Sequence, residues 1–229
     1  MQAQFDRLSL SAEFVSAIDG RSLSEAEVAE VYSKWRTRFC SGKGLSRGEI
    51  GCALSHIEFF RRVIANNVPG FVFEDDVELS REVAPSISKV EEFLSDHIEP
   101  CLVQLPGLDR DMPHCVGERD SGDFIKVSRA MGAYAYGLNP AGAALLLKAF
   151  SPIKCPIDYY RYLIAHYGLS FYVYNKRTIS VDMVSESTVG LDRFSVDNKV
   201  KGNVGQICYK LWRVFGKTID GVLRVMVRD

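Results

Sequence analysis

Three adjacent carboxylates, Glu74, Asp75 and Asp76, follow directly on the apolar run Phe71-Val72-Phe73. Neighbouring acids repel one another and each costs desolvation when buried, so such a triplet is comfortable either in a solvated turn or around a cation. Phe71–Phe73, entered through the turn Val68-Pro69-Gly70, reads as a short buried strand. Ligands of open α/β sheets sit outside the carboxyl ends of strands, where Mg2+ or Mn2+ can bridge one or two carboxylates to a substrate diphosphate. A second constellation stands upstream. At helical spacing Gly48, Gly51 and Ser55 share one face, and Glu49, Cys52 and His56 form the adjacent stripe. Each glycine costs a helix roughly 1 kcal/mol relative to alanine, so something must approach that face closely, be it a ligand or a neighbouring helix. His56 by itself suits a satisfied buried histidine as well as a ligand, and Glu49 suits a reciprocal cap.

These side chains need elements to hold them. Ser24 with Glu27 forms a capping box that opens a helix predicted to run through Phe39, and Ser46 with Glu49 forms a second box. After the second, Ile50, Leu54, Ile57, Phe60 and Ile64 keep helical spacing to about Asn66. Cys101–Leu105, Phe124–Val127, Ala133–Leu138 and Phe171–Tyr174 read as strands, and Asn139-Pro140 opens a helix over Ala141–Phe150 through the favoured first-turn proline. Helices alternating with short strands predict an α/β sandwich. Pro106–Gly122, rich in proline, glycine and charge, is expected to be a mobile loop, and 175–201 an irregular stretch.

Composition bounds the function. The 229 residues are 47% hydrophobic and 25% charged with a net charge of −1, which fits one large domain or one with an appendage, and argues against bulk nucleic-acid binding. No run of 18 apolar residues exists to span a membrane. The first residues, Met1–Arg7, are mostly polar, so the expected location is the cytoplasm. None of the six cysteines lies two to four residues from another, and no His-x-x-x-His pair exists among the four histidines. Zinc knuckles and thioredoxin-type pairs are thereby excluded, and any metal is expected to be held mainly by oxygen.

The run Leu45-Ser46-Arg47-Gly48-Glu49-Ile50-Gly51-Cys52-Ala53-Leu54-Ser55-His56, followed by Phe73-Glu74-Asp75-Asp76-Val77, resembles the signature of glycosyltransferase family 25, the lipopolysaccharide and lipooligosaccharide core glycosyltransferases. Phe14–Gly20 is similar to the strand-to-turn segment upstream of that helix, and Gly132–Tyr136 and Pro156-Ile157-Asp158 match the layout downstream, so the likeness covers roughly residues 5 to 190. It implies a GT-A-like nucleotide-diphospho-sugar transferase fold and a Mn2+- or Mg2+-assisted inverting transfer, usually from UDP-galactose. The triplet takes the place of the Asp-x-Asp motif, with Asp76 and Glu74 as metal ligands and Asp75 on the ribose or sugar of the donor. Ser55 and His56 fall on the donor side. Inversion needs a base on the face opposite the leaving group. Asp158 is the candidate, followed by Tyr159, Tyr160 and Tyr162, whose rings can stack on sugar; a helix N-cap is the equal alternative. Glu186, Ser187 and Thr188 sit where the family closes the donor site, without an assignable role.

Two features depart from that pattern. The chain starts inside the helix that should follow the first β-strand, so the fold is expected to lack that strand, with loss of uridine affinity. From Lys199 to Asp229 seven bases stand against two acids, net +5, leaving 1–198 at −6. On a helix Lys210, Arg213, Lys217, Arg224 and Arg228 share one side and Val204, Ile207, Leu211, Phe215, Val222 and Met226 the other. Such a helix either packs on the domain or lies on an anionic membrane surface, peripheral to the inner face of the cytoplasmic membrane. The sequence thus predicts a transferase domain over 1–198 and a basic amphipathic helix over 199–229, with a UDP-sugar donor, a lipid-linked oligosaccharide acceptor and no nucleic-acid partner. A metal-dependent phosphoester hydrolase and a degenerate, non-catalytic binding protein are the alternatives.

Overall fold

The computed structural model describes residues 1–105, 117–128, 130 and 132–181. In chain order the elements are α1 (Gln2–Arg7), α2 (Glu25–Val31), α3 (Lys34–Ser41), α4 (Arg47–Asn66), β1 (Gly70–Phe73), β2 (Val77–Leu79), α5 (Val83–Asp96) and β3 (Cys101–Gln104). They continue with β4 (Gly117–Ser121), β5 (Phe124–Val127), β6 (Ala135–Leu138), α6 (Pro140–Ala149), α7 (Tyr160–Tyr167), β7 (Ser170–Tyr174) and β8 (Ile179–Val181). The residues group into two compact units, one holding Met1–Ala17, Ser55–Lys148 and the chain from Asp158, the other Ile18–Leu54 and Ala149–Ile157. The expected helix over 199–229, and with it the domain boundary at 198, lies outside the described residues, as do Glu186, Ser187 and Thr188.

The first unit is built on a six-stranded sheet in the order β1-β6-β3-β7-β5-β4. Only β3 and β7 run parallel, and the other pairs are antiparallel. Strand alternation divides its side chains between two covered faces. On one face Tyr136 meets Phe59 of α4 edge-on at 5.9 Å and Phe171 meets Tyr160 of α7 at 4.5 Å. On the other, Tyr172 meets Phe93 of α5 at 4.9 Å, while a side chain at Gly137 would collide with Phe71 and Leu94. Cys101, Leu102 and Val103 of β3, between the two layers, are fully buried. The α/β sandwich read from the sequence is therefore present.

A second, two-stranded ribbon pairs β2 with β8. The free edge of β2 is covered by a side chain: the Gln4 amide donates to Val77 O at 3.1 Å and accepts from Leu79 N at 2.6 Å. Arg7 donates to Leu79 O at 3.2 Å beside it.

In the other unit both capping boxes form as expected. Ser24 N donates to Glu27 Oε2 at 2.8 Å and Glu27 N to Ser24 Oγ at 3.3 Å; Ser46 N donates to Glu49 Oε2 at 2.8 Å and Glu49 N to Ser46 Oγ at 3.2 Å. The expected helix through Phe39 is corrected to two helices. Tyr32 breaks it by forming a parallel bridge with Ile153, whose N–H donates to Val31 O at 2.8 Å while its carbonyl accepts from Ser33 N at 2.9 Å. Three further expectations change. Ile179–Val181, inside the stretch expected to be irregular, forms β8. Phe14–Asp19 has no regular secondary structure, and Gly117–Ser121, taken as part of a mobile loop, is a strand paired antiparallel with β5.

Candidate active site around Glu74 and His56

Glu74 stands immediately past the carboxyl end of β1. Its N–H donates to Tyr134 O at 2.8 Å, carrying the β1–β6 ladder one residue beyond the strand. Val72 is opposite Tyr136 in that ladder, so alternation turns Val72, Glu74 and Tyr136 toward the face covered by α4. The apolar positions Ile57, Phe60 and Val63 bury α4 against the unit, which fixes where His56 must come.

His56 is 5% exposed and has a partner at each ring nitrogen. Nδ1 lies 2.7 Å from the Tyr136 hydroxyl and Nε2 lies 3.4 Å from Oε1 of Glu74. The His56 and Tyr136 rings stack with centroids 5.7 Å apart. Glu74 is one-third exposed, so a buried histidine backs an acid that reaches solvent. Asp75 and Asp76 form the turn into β2, Asp75 exposed and Asp76 half-buried with Oδ1 covered. Ser55, half-buried, precedes His56 on α4.

Asp158 approaches from the start of α7. That helix takes Tyr159 as its N-cap, with no side-chain cap bond, so the cap position expected as the alternative for Asp158 belongs to its neighbour. Tyr160 follows, wholly buried. Burial first, and then the electronegative neighbours Tyr136, Asp158, Glu74 and Tyr134, push its phenol well above the ordinary range, so it stays a neutral hydroxyl. Asp158 and Glu74 are thus within electrostatic reach of one phenol, though 84 residues separate them in the chain.

At Gly51 the close approach is made by neither a ligand nor a packed helix. A side chain at Gly51 would run into Ile18 O and Gly20 N, and one at Gly20 into Arg47 O and Gly51 N. What comes close is the backbone of the irregular Ile18–Gly20 segment, within the same unit. Arg47 ties this region further by donating to Leu23 O at 3.0 Å and pairing with Glu25.

The donor chemistry fits a divalent ion. Glu74, Asp75 and Asp76 offer the oxygen ligands that Mg2+ and Mn2+ prefer. His56 Nε2 faces Glu74 beside these carboxylates, which leaves the expectation of a metal held mainly by oxygen in place. Tyr136 has no role in the sequence reading, and Tyr160 and Tyr162, expected to offer their rings to sugar, are buried instead. Tyr136 lies in the quoted Gly132–Tyr136 run, but only its pairing opposite Val72 shows that it meets His56.

Comparison with known proteins identifies the family. The model of glycosyltransferase family 25 (LPS biosynthesis protein) matches residues 1–161, which contain Ser55, His56, the acid triplet, Tyr136 and Asp158. A rat protein named probable inactive glycosyltransferase 25 family member 3 is 27% identical over 159 residues, 66% of this chain and 27% of that protein. A glycosyltransferase 25 family member of Aedes aegypti is 35% identical over 77 residues, 32% of this chain and 13% of that protein. Procollagen galactosyltransferase 1-A of Xenopus laevis is 31% identical over 81 residues, 34% of this chain and 13% of that protein. The chain therefore spans about a quarter or less of the length of these curated relatives. The mixed sheet covered by helices on both faces is consistent with a GT-A-like fold.

Proposed function

The chain belongs to glycosyltransferase family 25, and from that premise we propose that it moves a hexose, galactose in our reading, from a UDP-sugar to a hydroxyl of a lipopolysaccharide or lipooligosaccharide core acceptor, with inversion. The observation that carries the proposal is the meeting of Glu74 and His56 at the carboxyl end of β1, inside the matched region. The family description supports a saccharide acceptor, and the name of the Xenopus relative supports galactose.

In this reading Glu74 and Asp76 hold Mn2+ or Mg2+, and Asp75, the exposed member of the turn, contacts the ribose or sugar of the donor. The ion, when bound, neutralises the charge that develops on the departing diphosphate. Ser55 and His56 line the donor side. Asp158 takes the proton of the acceptor hydroxyl as its oxygen bonds to the anomeric carbon and the bond to UDP breaks on the opposite face. A carboxylate offers acceptor oxygens for that proton. Tyr160, held neutral, neighbours both acids without adding a charge between them. The basic segment 199–229 would bring the protein to the anionic cytoplasmic face of the membrane that carries a lipid-linked acceptor.

The test is calorimetric titration of the purified chain with UDP, with and without Mn2+, followed by measurement of sugar transfer from UDP-galactose. Metal-dependent UDP binding with turnover is expected. The name of the rat relative, probable inactive glycosyltransferase 25 family member 3, favours a second reading, a non-catalytic member. Metal-dependent UDP binding without transfer to any core acceptor would select it, and UDP hydrolysis without an acceptor would select a phosphoester hydrolase.

A further inference from the structure

We infer that Tyr136 is a positioning residue: acting through His56, its hydroxyl fixes the carboxylate of Glu74 in the place where that acid serves the ion and donor. The inference takes Glu74's function from the reading above, and its geometry stands apart from it. Oη of Tyr136 lies 2.7 Å from Nδ1 of His56, and Nε2 of the same ring lies 3.4 Å from Oε1 of Glu74.

The direction of these bonds follows from the donor inventory. An ionised carboxylate only accepts, so the ring nitrogen facing Glu74 carries the hydrogen. A neutral imidazole has one N–H, so Nδ1 is left as an acceptor and the Tyr136 hydroxyl donates to it. The chain runs Tyr136 O–H to Nδ1, then Nε2–H to Glu74. Without the tyrosine hydroxyl only the longer 3.4 Å contact with Glu74 still favours the Nε2–H tautomer, and a ring with its hydrogen on Nδ1 would turn a lone pair toward the carboxylate.

The anchor is rigid. Tyr136 sits on β6, paired with β1 on one side and β3 on the other, opposite Val72 and Gln104. Strand β6 and the residue that leads into it therefore hold Glu74 twice: its main chain through Tyr134 O at 2.8 Å, and its side chain through Tyr136 and His56. Partners that orient metal-binding groups from behind typically change metal affinity by about 10–100-fold when removed.

The experiment uses the full chain with Mn2+ in the presence of UDP. Tyr136→Phe keeps the ring and removes only the hydroxyl. Mn2+ affinity is expected to fall by about 10–100-fold. In a His56→Ala background the same change should cause no further loss, because the link it acts through is gone. A tyrosine that merely filled the core would lower thermal stability in both backgrounds and leave the affinity of the folded protein unchanged, and that result overturns the inference. Nitrogen-15 NMR of the His56 ring gives a second readout that needs no ion. Hydrogen on Nε2 in the wild type, with the preference lost in Tyr136→Phe, supports the inference, and hydrogen on Nδ1 in the wild type overturns it. Should the wild type bind no Mn2+ with UDP, the proposed function fails, while the ring tautomer still decides whether Tyr136 controls His56.

Discussion

Gly20 and Gly51 meet backbone to backbone, each occupying the space where a Cβ of the other would sit. Gly51 is in mid-helix, where replacement by alanine ordinarily stabilises by about 1 kcal/mol. Here the sign should reverse. Gly51→Ala is expected to cost about 1–3 kcal/mol through overpacking against the Ile18–Gly20 main chain, measured by denaturant unfolding. A stabilised Gly51→Ala protein would mean that this contact gives way freely.

Removing one of three mutually repelling acids should spare the apo fold while removing a ligand. Asp76→Ala is expected to abolish Mn2+-dependent UDP binding and to leave the melting temperature nearly unchanged. Calorimetry and a thermal melt on the same sample check both halves. A large loss of stability with intact binding would assign Asp76 a structural role.

Asp158→Asn keeps the shape of the side chain and removes its basicity. Turnover should fall by about 10²–10⁴-fold with donor affinity little changed. Steady-state kinetics with UDP-galactose separate the two quantities, and unchanged turnover would dismiss Asp158 as the base.

What could be read in advance divides by the range of the interaction. Ser24 with Glu27 and Ser46 with Glu49 are settled within four residues, and both boxes form. The break at Tyr32 is imposed by Ile153, more than a hundred residues away, and no local pattern announces it. Strand β4 escaped notice because Gly-Glu-Arg-Asp-Ser has almost no strand propensity and is held by its hairpin partner β5. The glycine spacing on α4 correctly indicated a close approach but not that main chain supplies it. The juxtaposition of His56 with Glu74 was accessible only as a family motif, and Tyr136 only once the β1–β6 register was known.

The first capping box should respond to acid. The Ser24 hydroxyl, then the Ser24 N–H, hold the Glu27 carboxyl below its ordinary value of 4.5. A group depressed in the folded state contributes stability that is present above its unfolded value and is lost as pH falls through its folded value. Helix α2 should therefore hold at pH 5 and above and fray at roughly pH 4 and below. Amide exchange across Glu25–Val31 reads this, and in Glu27→Gln the exchange should no longer change over that range.

Charge reversal tests the tail. Each base near an anionic bilayer contributes about 1 kcal/mol. Lys210→Glu, Arg213→Glu and Lys217→Glu together should release the protein from phosphatidylserine vesicles in a flotation assay. A wild-type chain that fails to float with them would return this segment to packing on the domain.

The Gln4 side chain imitates a peptide unit, giving and taking one hydrogen bond along the outer edge of β2. A strand margin satisfied in this way cannot recruit the margin of another molecule. The protection depends on α1, a helix of only six residues. Any fusion, cleavage or adsorbing surface that lifts this helix uncovers a ready template for strand exchange between chains. Association between chains at this edge is thereby tied to a single short helix.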